Sequence, residues 1–558
     1  MATTFTPFSR AETYVNALLM ALVVASPAML WHNRPVTALL LLALDIWLEC
    51  NLLYSRTYFS AIPLSSYMLA GNLADFTSSV TDSLRPQDAG FVVIFILTLL
   101  AGWGRGTKVT GRSKWAYLCI VLLMACVSAI LLWSRGGLRK AWEDLEDCYH
   151  FSCRVPMFTL AGSLANDAIA ESATLGVEER EEVEEWLRES PRVEALPDSI
   201  GRRYDNIVVV LCESLESWPI GLTLEGKEIT PNLNRLVADT ASTLYAPEVL
   251  TQVGAGRSID AQLLIDAGML PMQSGVYSMK APLNRYYTLP KALRELRGAR
   301  SYLLSADKPV VWNQGAVASS FGVDTLLMKD TWRIDETAGG YRLKLGDRSF
   351  MRQFTEKASK GEIWPEGEPA FLQLITYSGH NPFRLPDELD NLKLEGEYPE
   401  VARNYMRTAH YTDEGLGILL DYLKTRGDYE RTLIVITGDH EGLADYRREL
   451  AGKLDYVSPR QFTPLIIANS PVGGRIGGVI GQIDIYPTVL KLAGLTDYRW
   501  HGMGRDITSP SFRPVAVNPS GVIEGDTLGM DAALKARLLK GRRISDRIIR
   551  YDILQSME

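Results

Sequence analysis

Three short stretches of this chain carry side chains that suit a metal ion and a phosphorus centre. They are 212–214 (Cys-Glu-Ser), 256–258 (Gly-Arg-Ser) and 438–440 (Gly-Asp-His). The first and third follow β-forming runs at 207–211 and 433–437. In open α/β sheets the chemistry collects where strands end at their carboxyl side. The pattern therefore predicts an anionic, metal-assisted site.

Each of these clusters is weak evidence when it is taken alone. Glu213 after a strand is also typical of a helix cap, and Ser258 beside a glycine is typical of a turn. Asp439 and His440 are more informative, because a carboxylate and an imidazole at one strand end suit a hard-to-borderline divalent ion. A structural salt bridge is the alternative for that pair. The joint order and spacing of the clusters favour one shared site.

The elements that would position these residues alternate between short β-rich runs and helical runs from residue 206 onward. This alternation predicts an α/β fold with a mainly parallel sheet and helices on both faces. Candidate strands lie at 207–211, 301–304, 371–376, 433–437 and 464–468, and candidate helices at 289–296, 400–424 and 486–492.

The first 134 residues hold the long apolar runs of the chain. Segments 14–31, 36–54 and 115–133 are long enough to cross a hydrocarbon core of about 30 Å at about 1.5 Å per residue, and 89–104 is shorter. A cleaved signal peptide explains one such segment but not four. We therefore expect an N-terminal transmembrane domain of about four helices followed by a large polar domain.

Connector charges predict how these helices are oriented. Arg105, Lys108, Arg112 and Lys114 lie in the link before the last apolar segment, which the positive-inside tendency places in the cytoplasm. Both termini then face outward, although basic residues at 135–140 argue the other way. The expectation is a multi-pass protein of the inner or plasma membrane with an extracytoplasmic polar domain.

A chain of 558 residues exceeds what one hydrophobic core usually serves, so we expect several domains. In the order of the chain these are a transmembrane helical domain at 1–134, an amphipathic and charged connector at 135–204, a catalytic domain at 205–525, and a tail at 526–558 that packs on or follows it. Cys148 and Cys153 lie in the connector, where a disulfide and two free thiols are both open.

The ordered motifs of the chain resemble those of lipoteichoic acid synthases and related membrane phosphoglycerol transferases, within the alkaline phosphatase and sulfatase superfamily. The resemblance runs from about the first helix to about residue 510. It is carried by 51–58, 206–214, 230–233, 256–260, 312–313, 321–322, 380–383, 438–440, 481–484 and 487–488. It implies an alkaline phosphatase/sulfatase-like fold for the catalytic domain.

The resemblance also implies roles at the metal site. It makes Glu213, Asp439 and His440 ligands of a divalent cation, Mn²⁺ or Mg²⁺ before Zn²⁺. Ser258 falls where the family has its nucleophilic threonine, and it would be both the nucleophile and a further ligand. His380 matches a histidine beside the phosphate, which can donate to phosphoryl oxygens or shuttle a proton to the leaving alcohol.

Further positions match the pocket that binds the headgroup in this family. His380 also belongs to this pocket. Asp307 supplies a carboxylate that can accept from a hydroxyl or an amine, and Trp312 supplies an indole that can cover carbon atoms. Gln314 stands where the family has an arginine, and Ser305 where it has a histidine. Both differences replace a basic group by a neutral one.

The function implied is that of a membrane-anchored, metal-dependent transferase. It would move a phosphoglycerol-type headgroup from a phospholipid to a glycan, glycolipid or polymer acceptor through a phosphoserine-linked intermediate, and no nucleic-acid partner is expected. A phosphoethanolamine transferase and a lipid-headgroup phosphodiesterase are the enzymatic alternatives. Two alternatives are not enzymes: a binding protein without turnover, and a transporter that uses the acidic pair Asp45 and Glu49. A formylglycine-type sulfatase is excluded, because Ser258 is followed by Ile-Asp-Ala-Gln and not by x-Pro-x-Arg.

Overall fold

The computed structural model describes residues 11–31, 33–58, 86–103, 110–134 and 174–557 without 191, 274, 341–343, 445 and 461, together with a few isolated positions. The chain divides into two compact units, Met1–Thr174 and Leu175–Glu558. The predicted pair Cys148 and Cys153 lies outside the described residues.

The first unit contains all four of the predicted apolar helices: α1 (Ala11–Trp31), α2 (Arg34–Tyr58), α3 (Ala89–Trp103) and α4 (Gly111–Ser134). Within this unit α1 packs against α2 and α4, and α2 packs against α3. Among the described residues, two helices are long and apolar enough to cross a membrane, Arg34–Leu53 and Gly111–Ser134. Leu18–Leu30 and Ala89–Leu100 are shorter apolar helices. The expected number of about four membrane crossings is therefore supported for two.

The second unit is an assembly of helices and strands. Its described helices are α5 (Val177–Glu189), α6 (Pro231–Ala238), α7 (Ser258–Ala267), α8 (Tyr277–Lys280), α9 (Leu289–Arg297), α10 (Gln314–Phe321), α11 (Asp347–Ser359), α12 (Glu400–Thr425), α13 (Arg447–Ala451), α14 (Ile485–Leu492) and α15 (Ala532–Arg550). Its described strands are β1 (Asn206–Cys212), β2 (Thr223–Leu224), β3 (Lys227–Glu228), β4 (Thr243–Leu250), β5 (Arg300–Ser305), β6 (Thr325–Leu327), β7 (Thr337–Ala338), β8 (Lys344–Leu345), β9 (Ala370–Ile375), β10 (Thr432–Gly438), β11 (Thr463–Ala468), β12 (Gly474–Arg475), β13 (Ile480–Gly481), β14 (Val515–Val517) and β15 (Ile523–Gly525).

A nine-stranded sheet in the order β12-β4-β11-β10-β1-β9-β5-β6, with β13 also beside β4, forms the centre of this unit. Strands β10, β1, β9, β5 and β6 run parallel, whereas β11 is antiparallel to both β10 and β4. The sheet is therefore mixed but mainly parallel, and all five predicted strands are in it.

Helices cover both faces of this sheet. On one face, Val208 and Val210 of β1 share a buried cluster with Phe350 of α11 and Leu416 of α12. On the other face, the side chain of Gln373 in β9 donates to Asp266 of α7 at 2.6 Å. Burial on both sides explains why β1 and β10 are continuous apolar runs and do not alternate with polar residues.

The parallel register brings the functional stretches together. Cys212 at the end of β1 pairs with Gly438 at the end of β10. Glu213 and Asp439 are the next residues of each strand, so they leave the sheet side by side. The side chains that the sequence placed after two separate strands therefore belong to one edge.

The connector predicted at 135–204 includes one described helix, α5. Its helix α5 lies in the second compact unit, where Glu182 accepts from Arg543 of α15 at 2.6 Å. Trp186 and Leu187 of α5 are 4% and 2% exposed, so one face of the helix is part of a core. The tail that was predicted to pack on or follow the catalytic domain supplies its partner, α15.

Candidate active site

The first site residue, Glu213, is fixed by the strand next to its own. Its backbone N–H donates to the hydroxyl of Thr376, directly after β9, at 2.9 Å. Gly379 in the following loop packs against Glu213, because a methyl group added at Gly379 would overlap the carbonyl oxygen of Glu213. The loop that carries His380 is thereby held against the end of β1.

Ser258 is held by the start of α7, of which it is the first residue. The carboxylate of Asp260 accepts from the backbone N–H groups of Gly254 and Gly256, both at 2.9 Å, and so ties the preceding loop to the helix. Arg257 has a φ of 50°, a backbone conformation that is strained for a side chain of this kind. A helix N-terminus favours negative charge, so an oxygen at this position is placed where a negative charge is stabilised.

Four side chains from three parts of the chain converge at this place. The hydroxyl oxygen of Ser258 lies 3.4 Å from Oε2 of Glu213 and 3.3 Å from Nε2 of His440. Nε2 of His440 lies 3.7 Å from Oε1 of Glu213 and 3.5 Å from Oδ2 of Asp439. All four side chains can therefore face one small volume.

This donor set fits a divalent cation. One ligand atom from each of Glu213, Asp439 and His440 can be chosen so that all lie within 4.8 Å of one another. Burial, and then the neighbouring Asp439 carboxylate, raise the pKa of Glu213, so two negative groups are crowded in a desolvated place. Carboxylate, imidazole and hydroxyl donors together suit Mn²⁺, Mg²⁺ or Zn²⁺.

Asp439 is oriented by its backbone neighbours. Its Oδ1 accepts from the N–H groups of Ser214 at 2.6 Å and His440 at 2.7 Å, which leaves Oδ2 on the side of the site. Gln482 donates to the carbonyl oxygen of Asp439 at 2.7 Å. The carboxylate is thus aimed before any ion binds.

The imidazole of His440 is oriented by Arg257 and Glu441. Nδ1 lies 3.1 Å from the carbonyl oxygen of Glu441, an acceptor, and 3.0 Å from a guanidinium nitrogen of Arg257, a donor. In the tautomer with the hydrogen on Nδ1, Nε2 keeps its lone pair for a metal. Arg257 also donates to this carbonyl at 3.1 Å and to Oε1 of Glu441 at 3.2 Å. Although burial opposes it, the charge of Arg257 lowers the pKa of Glu441.

His380 has a defined tautomer in its loop. Its Nδ1 lies 2.8 Å from the carbonyl oxygen of Asn381, an acceptor, so Nδ1 carries the hydrogen and Nε2 is left to exchange a proton. Desolvation lowers the pKa of His380, and the nearby charge of Lys344 adds to this effect. The neutral imidazole therefore dominates near neutral pH.

The remaining predicted pocket residues are distributed over two surroundings. Asp307 forms an ion pair with Lys344. Ser305 is 6% exposed, and its hydroxyl accepts from the N–H of Asp307 at 3.2 Å. Trp312 is half-buried and has a φ of 57°.

Gln314 lies in a buried pair of amides. Its amide exchanges two hydrogen bonds with the amide of Gln262, each at 2.9 Å, and Gln314 is 6% exposed. In this arrangement the Gln314 amide is paired with the Gln262 amide, and its place in a headgroup pocket stays a prediction.

Sequence reasoning missed several supporting residues. Thr376 is the last residue of a predicted strand, Arg257 lies inside a predicted cluster and Glu441 follows a predicted site residue, so position was a signal that could have found their supporting roles. Lys344 lies 37 residues from its partner Asp307 along the chain, and no local pattern joins them. Gln482 lies in a stretch that already carried the family resemblance.

Comparison with known proteins gives a consistent assignment. A family model described as Sulfatase matches residues 205–495. Lipoteichoic acid synthase of Staphylococcus aureus (strain USA300) is 28% identical over 319 residues, which are 56% of this chain and 48% of that protein. The chain thus matches about half the length of this curated relative.

Two solved structures share the fold. The lipoteichoic acid synthase LtaP from Listeria monocytogenes aligns with a TM-score of 0.52 at 20% identity, covering 67% of this chain and 98% of that one. A protein in the alkaline phosphatase superfamily from Vibrio parahaemolyticus aligns with a TM-score of 0.50 at 17% identity, covering 67% and 96%. Because the family model matches more than half of the 558 residues, this protein belongs to the sulfatase family, and its sequence is similar to that of lipoteichoic acid synthases.

Proposed function

We propose that this protein is a membrane-anchored, metal-dependent transferase that moves a phosphoglycerol-type headgroup from a phospholipid to a glycan or glycolipid acceptor. The observation that carries the proposal is the position of the Ser258 hydroxyl, 3.3 Å from Nε2 of His440 and 3.4 Å from Oε2 of Glu213. The similarity to lipoteichoic acid synthases supports the choice of a phosphorus centre.

Glu213, Asp439, His440 and Ser258 would hold the cation, Mn²⁺ or Mg²⁺ before Zn²⁺. When bound, the ion would lower the pKa of the serine hydroxyl and polarise the phosphoryl oxygens. The positive N-terminal end of α7 also favours a negative charge on the Ser258 oxygen.

The reaction has two displacements at phosphorus. In the first, the Ser258 oxygen forms a bond to phosphorus and the bond from phosphorus to the diacylglycerol oxygen breaks, so the serine proton ends on diacylglycerol. In the second, the acceptor hydroxyl attacks phosphorus, the bond to Ser258 breaks, and the acceptor proton returns to the serine. We assign to Nε2 of His380 the transfer of these protons, since its other nitrogen is committed to Asn381.

The membrane anchor suits a lipid donor. An enzyme fixed beside a donor that never leaves the bilayer limits the search and the orientational entropy. We place the protein in the inner or plasma membrane with its second unit on the extracytoplasmic side. Protease added to intact spheroplasts should then cleave the second unit, whereas protection until lysis would contradict this orientation.

The direct test measures diacylglycerol released from labelled phosphatidylglycerol by the full chain in detergent with Mn²⁺. The wild type should release it, Ser258→Ala should not, and Ser258→Thr should retain activity, because the family places a threonine at this position. Ser320→Ala, a serine on α10, is the matched control. Equal turnover by Ser258→Ala would rule out the nucleophile. Release with water as the sole acceptor, unchanged by added glycolipid, would favour a phosphodiesterase.

A phosphoethanolamine transferase is the second candidate function. The observation in its favour is Gln314, which stands where the resembled family has a headgroup-contacting arginine. Parallel assays with phosphatidylethanolamine distinguish the two headgroups.

A further inference from the structure

A lysine that lies far from the site motifs in sequence reaches the predicted headgroup pocket. Lys344 of β8 forms an ion pair with Asp307, and its Nζ lies 3.9 Å from the centre of the Tyr377 ring. The Tyr377 and His380 rings stack with their centres 5.3 Å apart. We call Asp307, Lys344, Tyr377 and His380 the headgroup cluster.

The headgroup cluster adjoins the metal ligands. His380 follows Gly379, which packs on the backbone of Glu213. In the hairpin of β7 and β8, Ala338 pairs with Lys344. The next residue, Gly339, exchanges two backbone hydrogen bonds with Arg384, each at 2.8 Å. The hairpin thereby fixes Lys344 beside the loop that carries His380.

Lys344 supplies a cation that the pocket positions themselves lack. Gln314 and Ser305 are neutral where the resembled family has basic side chains. The side chains of Lys344 and Asp307 are 28% and 26% exposed, so both are partly desolvated and still accessible to a ligand. A cation is thus provided from another element of the fold.

The paired charges determine which headgroup fits. With Lys344 beside it, the charge of Asp307 is already balanced, and the pair offers ammonium donors next to carboxylate acceptors. A hydroxyl can donate to the carboxylate and accept from the ammonium at the same time. An ammonium headgroup would instead meet the like charge of Lys344, and like charges in contact disfavour binding strongly.

We propose that Lys344 is a specificity-determining residue through which the headgroup cluster selects an uncharged, hydroxyl-bearing headgroup over an ammonium-bearing one. This inference rests on the proposed function and specifies its substrate class. It favours the glycerol headgroup in spite of the neutral Gln314.

The test compares kcat/KM for phosphatidylglycerol and phosphatidylethanolamine with the full chain in detergent and Mn²⁺. The wild type should prefer phosphatidylglycerol, and Lys344→Met should reduce this preference about tenfold or more, a change of about 1.4 kcal/mol. Lys344→Arg keeps the charge and should keep the preference. Lys453→Met, which breaks an exposed pair with Glu449, is the matched control and should change nothing.

A binding measurement keeps the inference testable apart from turnover. Glycerol phosphate and phosphoethanolamine are each titrated into the Ser258→Ala protein in the presence of Mn²⁺, and binding is measured by calorimetry. Glycerol phosphate should bind more tightly than phosphoethanolamine. An unchanged preference in Lys344→Met, a wild-type preference for the ethanolamine lipid, or equal binding of the two headgroups would overturn the role of Lys344. Release from neither lipid by the wild type, with selective binding that Lys344→Met weakens in the Ser258→Ala protein, would instead overturn the proposed transfer and leave Lys344 supported.

Discussion

At the scale of single residues, the two oxygens of Asp439 have separate tasks. Oδ1 is taken by the backbone N–H groups of Ser214 and His440, and Oδ2 lies 3.5 Å from Nε2 of His440. Asp439→Asn keeps one acceptor for the backbone and puts an NH₂ group on the side of the cation. Manganese affinity measured by calorimetry should fall by about tenfold or more. Asp421→Asn, at an exposed position of α12, should bind the ion like the wild type, and equal affinity in Asp439→Asn would remove Asp439 from the ligands.

A second prediction at this scale concerns Asp266, which is fully buried beneath the sheet and accepts from Gln373 at 2.6 Å. Burial raises the pKa of Asp266 from 3.8 to about 7. Between these values the folded protein keeps a proton that the unfolded chain releases. The contribution of this group to the free energy of unfolding is therefore fully present below pH 3.8. It is lost between pH 3.8 and about 7, at about 1.4 kcal/mol per pH unit.

Asp266→Asn removes this titration. Thermal unfolding of the full chain in detergent should show the melting temperature of Asp266→Asn rising relative to the wild type from pH 5 to pH 8. The readout is the change of this difference with pH, so any constant cost of the new amide cancels. Asp198→Asn at an exposed position is the control. A difference that stays flat would show that Asp266 is ionised throughout.

At the scale of elements, the site depends on how closely the strand-end loops approach one another. A methyl group at Gly379 would overlap the carbonyl oxygen of Glu213, so Gly379→Ala must push the His380 loop away from β1. A displacement of about 1 Å at a reacting centre costs about 10²-fold in rate, and we expect a loss of this order in diacylglycerol release. Gly477→Ala meets open space and should be active. Full activity of Gly379→Ala would mean that the loop is not positioned by this contact.

How much of this the sequence could predict differs from element to element. Strands β1 and β10 were predictable because burial on both faces makes them continuous apolar runs that end in polar residues. Strand β4 was missed because it contains Pro247, which normally argues against a strand inside a sheet. The proline is accommodated where the pairing of β4 with β11 changes register, between Thr463 and Leu465.

The site shows the same division between local and long-range signals. The stretches around Glu213, Ser258 and Asp439 were recognisable because each is a local pattern that follows a strand or a glycine. The pairs Asp307 with Lys344 and Gln314 with Gln262 join residues from different elements. Only the three-dimensional path of the chain brings such pairs together, so the headgroup cluster was beyond the reach of spacing rules.

At the scale of the whole molecule, the chain consists of two compact units divided near residue 174. The second unit closes its own core with α5, which falls within a region that the sequence assigned to a connector. Arg543 of α15 donates to Glu182 of α5, and the buried ring of Trp186 in α5 contacts Arg537 of α15. The part that folds by itself should therefore begin before α5 and not at the first strand.

This division can be tested with two truncated proteins. Residues 175–558 should fold alone and bind Mn²⁺ with the affinity of the full chain, because the proposed metal ligands and the residues that support them all lie in this part. Residues 191–558 lack α5 and so expose the surface on which Val183, Trp186 and Leu187 are buried. Each large apolar side chain lost from a core costs about 2–5 kcal/mol, so this protein should melt far lower or aggregate. Circular dichroism melts and calorimetry with Mn²⁺ measure both properties, and equal melting temperatures for the two truncations would show that α5 is a connector after all.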